Sequence, residues 1–190
     1  YKDSQQVLSY FKQYQEELQR AGLSGLGIRP QPHQSGHTFV GSQGCAECHQ
    51  EAFDIWSNSA HAQATHSLIT PPERSGITRQ YDPECLSCHT TGWQPQEYTP
   101  FYSGFESMVA TRHLAGSGCE NCHGPGSEHV RLELLDDVAD AGELLKARQA
   151  LQLSIATAQE HQCKTCHDLD NSPDFHDEGA FKKYWDQIEH

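Results

Sequence analysis

Long apolar runs are missing from this sequence. No window approaches the roughly 18 consecutive apolar residues of a membrane-spanning helix, and a cluster such as Val130 to Leu135 is broken by charges. Core-forming side chains are scarce: hydrophobic residues make up 35% of 190 positions, and the mean hydropathy is -0.73. That length suits one ordinary domain or two very small ones. Basic residues are outnumbered by acidic ones, 13 against 26, so phosphate backbones are repelled. This argues against a nucleic-acid partner and favours proteins with basic docking patches. No Ser-His-Asp order, phosphate loop or dinucleotide glycine fingerprint is present. The chain begins at Tyr1 without a charged and apolar leader, so any export signal or membrane anchor is expected to lie outside it.

What is abundant is cysteine and histidine, eight and thirteen residues respectively. All eight cysteines fall into four copies of one pattern: Cys45-Ala-Glu-Cys48-His49, Cys85-Leu-Ser-Cys88-His89, Cys119-Glu-Asn-Cys122-His123 and Cys163-Lys-Thr-Cys166-His167. C-x-x-C-H is the attachment signature of c-type haem. Two thiols one helical turn apart bond to the haem vinyl groups, and the adjacent imidazole reaches the iron from the same side. Zinc sites, disulfides and redox dithiols also use C-x-x-C, but none requires His directly after the second Cys. With His at about 7% of the chain, four such coincidences have odds of about one in 50,000. Four covalently attached haems would also serve as the core that the chain lacks, and they imply a periplasmic or otherwise extracytoplasmic location.

The sixth ligands follow from supply. Methionine occurs once, at Met108, whereas nine histidines lie outside the motifs, so complete sites are expected to be mostly bis-His and of low potential. His61, in Ser59-Ala-His-Ala-Gln-Ala64, reads as part of a helix start capped by Ser57 or Ser59, with alanines that admit a haem face. His129 follows the sharp Gly124-Pro125-Gly126 turn, which aims it at a haem other than that of His123, and Ser127 is placed to cap a new helix. His161, two residues before Cys163, suits a neighbouring haem. His113 and His66 compete for the remaining site, His33 and His37 lie in a Pro/Gly/Ser-rich stretch, and His176 and His190 lie in the acidic tail. One iron without a protein sixth ligand is an open alternative.

The expected fold class is mainly α, with short helices and long loops wrapped around the haems. Residues 1–38 read as an amphipathic helix, from about Ser4 to Arg20 and closed by Gly22, followed by a Gly/Pro-rich linker. Residues 39–190 read as the tetrahaem domain. A longer helix is expected over Ser127 to Gln149, with a break at Gly142 possible, and a final one through Phe181, Tyr184, Trp185 and Ile188. Motif starts 40, 34 and 44 residues apart are too irregular for a solenoid. Tyr98, Phe101, Tyr102 and Phe105 are expected on haem edges, and the N-terminal helix is a candidate self-association surface.

With these motifs, and with Trp56-Ser-Asn-Ser-Ala-His61-Ala and Gly118-Cys-Glu-Asn-Cys-His-Gly-Pro-Gly126, the chain resembles the multihaem cytochromes c of the cytochrome c-554 family over about Gly41 to Asp168. The resemblance implies stacked and perpendicular haem pairs, mostly bis-His iron, and a distal role for His61 and His129. It also implies that the second haem, at Cys85, Cys88 and His89, can be five-coordinate. Here His113 stands near a place where the family type shows an apolar residue, which makes it a candidate ligand for that iron. Three functions follow as expectations. The first is electron transport between a redox donor and acceptor. The second is reduction of a small nitrogen species at an open haem, and the third is a role as a subunit of a larger cytochrome assembly or filament.

Overall fold

The computed structural model describes residues 4–72, 76–135 and 141–190. Helix α1 (Gln5–Gly25) comes first, rich in helix-forming Gln, Glu and Leu. Gly22, at φ 57 and ψ 174, interrupts it where the sequence predicts its end, and one more turn follows. Short helices succeed it: α2 (Ser42–Ala46), α3 (Gln50–Ser57), α4 (Ala64–Ile69) and α5 (Pro83–His89). Among the described residues the only strands are Trp93–Gln94 (β1) and Thr99–Pro100 (β2), paired antiparallel with Trp93 opposite Pro100. Then come α6 (Cys119–His123), α7 (Ser127–Glu133), α8 (Ala141–Ala150), α9 (Ile155–Thr157) and α10 (Ala180–Trp185), with single turns of tighter or wider helix between them. The fold is mainly α.

Three expectations change in detail. The helix near His61 begins only at Ala64, because Ser59 Oγ donates to the Trp56 carbonyl at 2.7 Å instead of capping a new helix. Ser127 opens α7 without capping it; its Oγ accepts the Thr38 N–H at 2.9 Å. The predicted final helix stops at Trp185, short of Ile188. Part of the predicted Ser127–Gln149 helix, residues 136–140, lies outside the described residues; α7 and α8 flank it.

Residues 31–41 are bound to the body of the protein. Gln31 pairs with Phe101, Phe39 enters the core, and the carboxylate of Glu120 accepts the N–H groups of Val40, Gly41 and Gly126 at 2.7–3.0 Å. Each motif helix is tied to another motif's neighbourhood. Ser42 Oγ accepts the Cys119 N–H at 3.2 Å, Asn121 Nδ2 donates to the Thr90 carbonyl at 2.9 Å, and Gln162 Nε2 donates to the Asn121 carbonyl at 2.7 Å.

Among the described residues an apolar core cluster gathers Phe39, Leu68, Leu86, Trp93, Phe105 and Leu114, with Leu23, Cys85 and Phe101 packed against it. Gly92 admits the hairpin to it: at φ 85, a Cβ there would lie 2.5 Å from the Gly104 Cα, so only glycine fits. Of the aromatics of the 98–105 stretch, Phe105 is in this cluster and Phe101 packs against it, while Tyr98 and Tyr102 are exposed. The polypeptide exposes 12239 Å², about a third more than the roughly 9,100 Å² expected for a folded monomer of this mass.

Candidate haem sites

Each motif is locally helical, which brings its two cysteines onto one side one turn apart. In the first and fourth the turn is closed by the motif histidine: His49 N–H donates to the Cys45 carbonyl at 2.9 Å and His167 N–H to the Cys163 carbonyl at 2.8 Å. All eight thiols are free. Among the described residues no group of three or more His, Cys, Asp or Glu is gathered so as to hold a metal ion directly, as a four-ligand zinc site would be. Burial pushes the Cys85 and Cys122 thiols up to about 12, whereas contact with the Cys45 thiol lowers Cys119 to about 6.

Three motif histidines face a second imidazole. The ring centroids of His49 and His129 are 6.2 Å apart, those of His61 and His167 6.0 Å, and those of His123 and His190 5.8 Å. That spacing leaves room for one metal atom between two imidazoles at the usual metal–nitrogen distance of about 2 Å. Burial lowers the pKa of His61, His123 and His167, which favours the neutral, ligating form. Outer partners orient the rings as second-shell groups do. His123 Nδ1 lies 2.7 Å from the Leu151 carbonyl and His167 Nδ1 3.0 Å from Ser172 Oγ.

The arrangement is made by the fold. The Gly124-Pro125-Gly126 turn starts α7 so that His129 returns to His49. His61 is set by its carbonyl, which accepts the Ser117 N–H at 3.0 Å, and by Trp56 Nε1, which donates to the Ser117 carbonyl at 2.9 Å. His190, in the tail that follows α10, meets His123. Between the first and third motifs lies a cavity of about 1050 Å³, bordered by Cys45, His49, Cys119, His123, His129 and His190, at the upper end of small-molecule sites.

His89 differs. Its Nδ1 lies 2.9 Å from the Ala64 carbonyl, and among the described residues no second histidine ring stacks on it. His161 is exposed beside Glu160, at 4.0 Å, and His113 sits on the surface against Gly41; neither faces a motif histidine. His66 is exposed. His33 packs edge-on to Phe39 and Phe101, and His176 Nε2 binds the His167 carbonyl at 2.8 Å. Sequence reasoning passed over His190, Glu120 and Gln15. No local pattern marks the first, whereas an acidic residue inside a C-x-x-C pair was a visible oddity for the second.

The residues fit haem c on two further observations. Sulfurs from different motifs lie within hydrogen-bonding reach, Cys45 with Cys119 and Cys88 with Cys166. Buried polar atoms without a partner occur at the motifs: His129 Nδ1 beside the first, Arg79 Nε near the second, and Trp185 Nε1 on α10, which packs toward His167. Residues 44–124, which include the first three motifs, match the family of cytochrome c554 and c-prime. Over this stretch the chain is similar to the cytochrome c-554 family. It is similar to a cytochrome c-554 of Nitrosomonas europaea, 29% identical over 97 residues, covering 46% of this chain and 39% of the relative. The match thus spans about two fifths of that relative's length. No solved structure matches significantly. Among the described residues no helix is long and apolar enough to cross a membrane.

Proposed function

We propose that this chain is a tetrahaem electron carrier that works outside the cytoplasm between a redox donor and an acceptor. The three facing imidazole pairs carry this reading. In this reading His49 and His129 hold the first haem, His123 and His190 the third, and His167 and His61 the fourth. Bound haem supplies reversible one-electron chemistry, tuned by its axial ligands and its exposure. The chain's residues do the rest: thiols tether, paired imidazoles hold the iron on both faces, and carbonyls and hydroxyls fix the rings.

The sulfurs also define an order. Cys45 lies against Cys119, Cys122 interacts electrostatically with Cys163, and Cys166 lies against Cys88. In this reading the four sites succeed one another as first, third, fourth and second. The acidic surface favours basic docking patches on partners, an attraction that added salt weakens.

A second reading rests on His89: the second site is open and takes an exogenous small ligand, such as a nitrogen oxide. A haem count on the purified holoprotein, joined to electron paramagnetic resonance of the oxidised form, tests both. Four haems with three low-spin and one high-spin signal is the expected result. Four low-spin signals would remove the open site, and fewer than four haems would remove the tetrahaem reading.

A further inference from the structure

The histidines of the haem sites differ in what stands beside Nδ1. For four of them it is a neutral oxygen at hydrogen-bonding distance: the Leu151 carbonyl at 2.7 Å from His123, the Ile188 carbonyl at 2.8 Å from His190, Ser172 Oγ at 3.0 Å from His167 and the Ala64 carbonyl at 2.9 Å from His89. Beside His129 it is a carboxylate. His129 and Glu133 are four residues apart on α7, so they share a face of that helix, and Glu133 Oε1 lies 3.6 Å from His129 Nδ1.

That distance is too long for a hydrogen bond, and Nδ1 is buried with no partner. Glu133 itself is held from the other side. Arg148, on α8, donates through Nε to Oε1 at 2.6 Å and through Nη2 to Oε2 at 3.0 Å, the two-pronged geometry that fixes the plane of a carboxylate. All three residues border the cavity between the first and third motifs, as does His49. An imidazole that binds iron through Nε2 carries its proton on Nδ1. A buried N–H needs an acceptor, and a small rotation of the imidazole about its last side-chain torsion, which is soft, brings Nδ1 to Oε1.

We propose that Glu133 is the positioning residue of the first haem site: its carboxylate accepts the Nδ1–H of His129 when that imidazole ligates iron, and Arg148 braces the carboxylate. This rests on the reading of His49 and His129 as the axial pair of the first haem. A carboxylate draws the Nδ1 proton more strongly than a carbonyl or hydroxyl does, which makes the imidazole a stronger donor to the metal. Stronger donation favours ferric over ferrous iron. The first haem is thereby set to a lower potential than an otherwise equal site with neutral outer partners.

The test is made on the full-length holoprotein, by electron paramagnetic resonance followed through a potentiometric titration. His129→Ala identifies the first haem as the low-spin signal that disappears. In Glu133→Gln the potential of that haem rises and its low-spin signal shifts, while the signals of the other haems stay in place. Arg148→Gln breaks the same ion pair but keeps the carboxylate, so the potential does not rise. If Glu133→Gln fails to assemble, Glu133→Asp serves instead: the shorter side chain draws the oxygens back, and the same low-spin signal shifts. An unmoved signal in the Glu133 variant overturns the proposal even where the potential rises, since charge at a distance suffices for that rise. Equal rises in Glu133→Gln and Arg148→Gln overturn it too, because loosening of α7 is then the cause. A His129→Ala variant that keeps every low-spin signal overturns the axial pair itself.

Discussion

Around Cys85–His89 the polypeptide builds its own apolar core, whereas around Cys45–His49 and Cys119–His123 it lines a cavity of about 1050 Å³. The second motif has Leu86 and Cys85 inside or against the core cluster, with Leu114, Trp93 and Phe105 packed together nearby. The first and third have paired imidazoles, joined by the Glu120 clamp onto Val40, Gly41 and Gly126. The difference teaches where rigidity comes from. A site held by two protein ligands needs little protein around it, because coordination fixes both walls. A site held from one side needs packed side chains to define the other.

The strongest way to break this comparison is to give another site the character proposed for the second. His129→Ala, His61→Ala or His190→Ala each removes one facing imidazole. Carbon monoxide titration of the reduced holoprotein should then rise from one binding haem to two in each variant. His113→Ala and His161→Ala, which lie outside every pair, should leave the stoichiometry at one. A rise in either would return that residue to the ligand set.

The packed side of the comparison is tested through Leu114, which is 1% exposed. Leu114→Ala should cost about 3 kcal/mol in urea unfolding of the holoprotein, while Leu145→Ala, on an exposed part of α8, should stay within about 0.5 kcal/mol. Equal losses would mean that the cluster around the second motif is no more structural than the periphery.

A smaller effect is expected at the strut that sets His61. Trp56→Phe keeps the ring but deletes the hydrogen bond to the Ser117 carbonyl, and should cost about 1 kcal/mol. Its low-spin resonance assigned to the His61 and His167 pair should broaden while the other two stay sharp.

The smallest effect concerns His33. Burial, with His37 as a lesser cause, holds its pKa below the usual histidine value. The folded state therefore binds this proton less readily than the unfolded chain. Its contribution to stability is present above about pH 6.5 and is lost as the pH falls through the lowered folded value. His33→Gln should flatten the slope of stability against pH in that window; an unchanged slope would show that the imidazole is free to charge.

The motif residues were legible because covalent attachment demands Cys-x-x-Cys-His in consecutive order, a constraint entirely local to the chain. His61 and His129 were nominated by local turns and small neighbours, and both come to face motif histidines. His161 and His113 were nominated by proximity along the chain or by elimination, and the fold leaves them outward. The break of α1 at Gly22 was readable from glycine's freedom at positive φ. That Phe105 enters the core and Phe101 packs against it was not, since their burial depends on the hairpin closing against Gly104.

By itself, the sequence determined the chemistry of attachment, the scarcity of methionine ligands, the acidic surface and the helical class, because composition and short spacing carry all four. Only the tertiary structure decided which imidazole meets which motif, that His190 crosses to His123, and that α1 buries an unpaired Gln15. Those pairings join residues tens of positions apart, and their cost in chain entropy is met only when the whole fold closes.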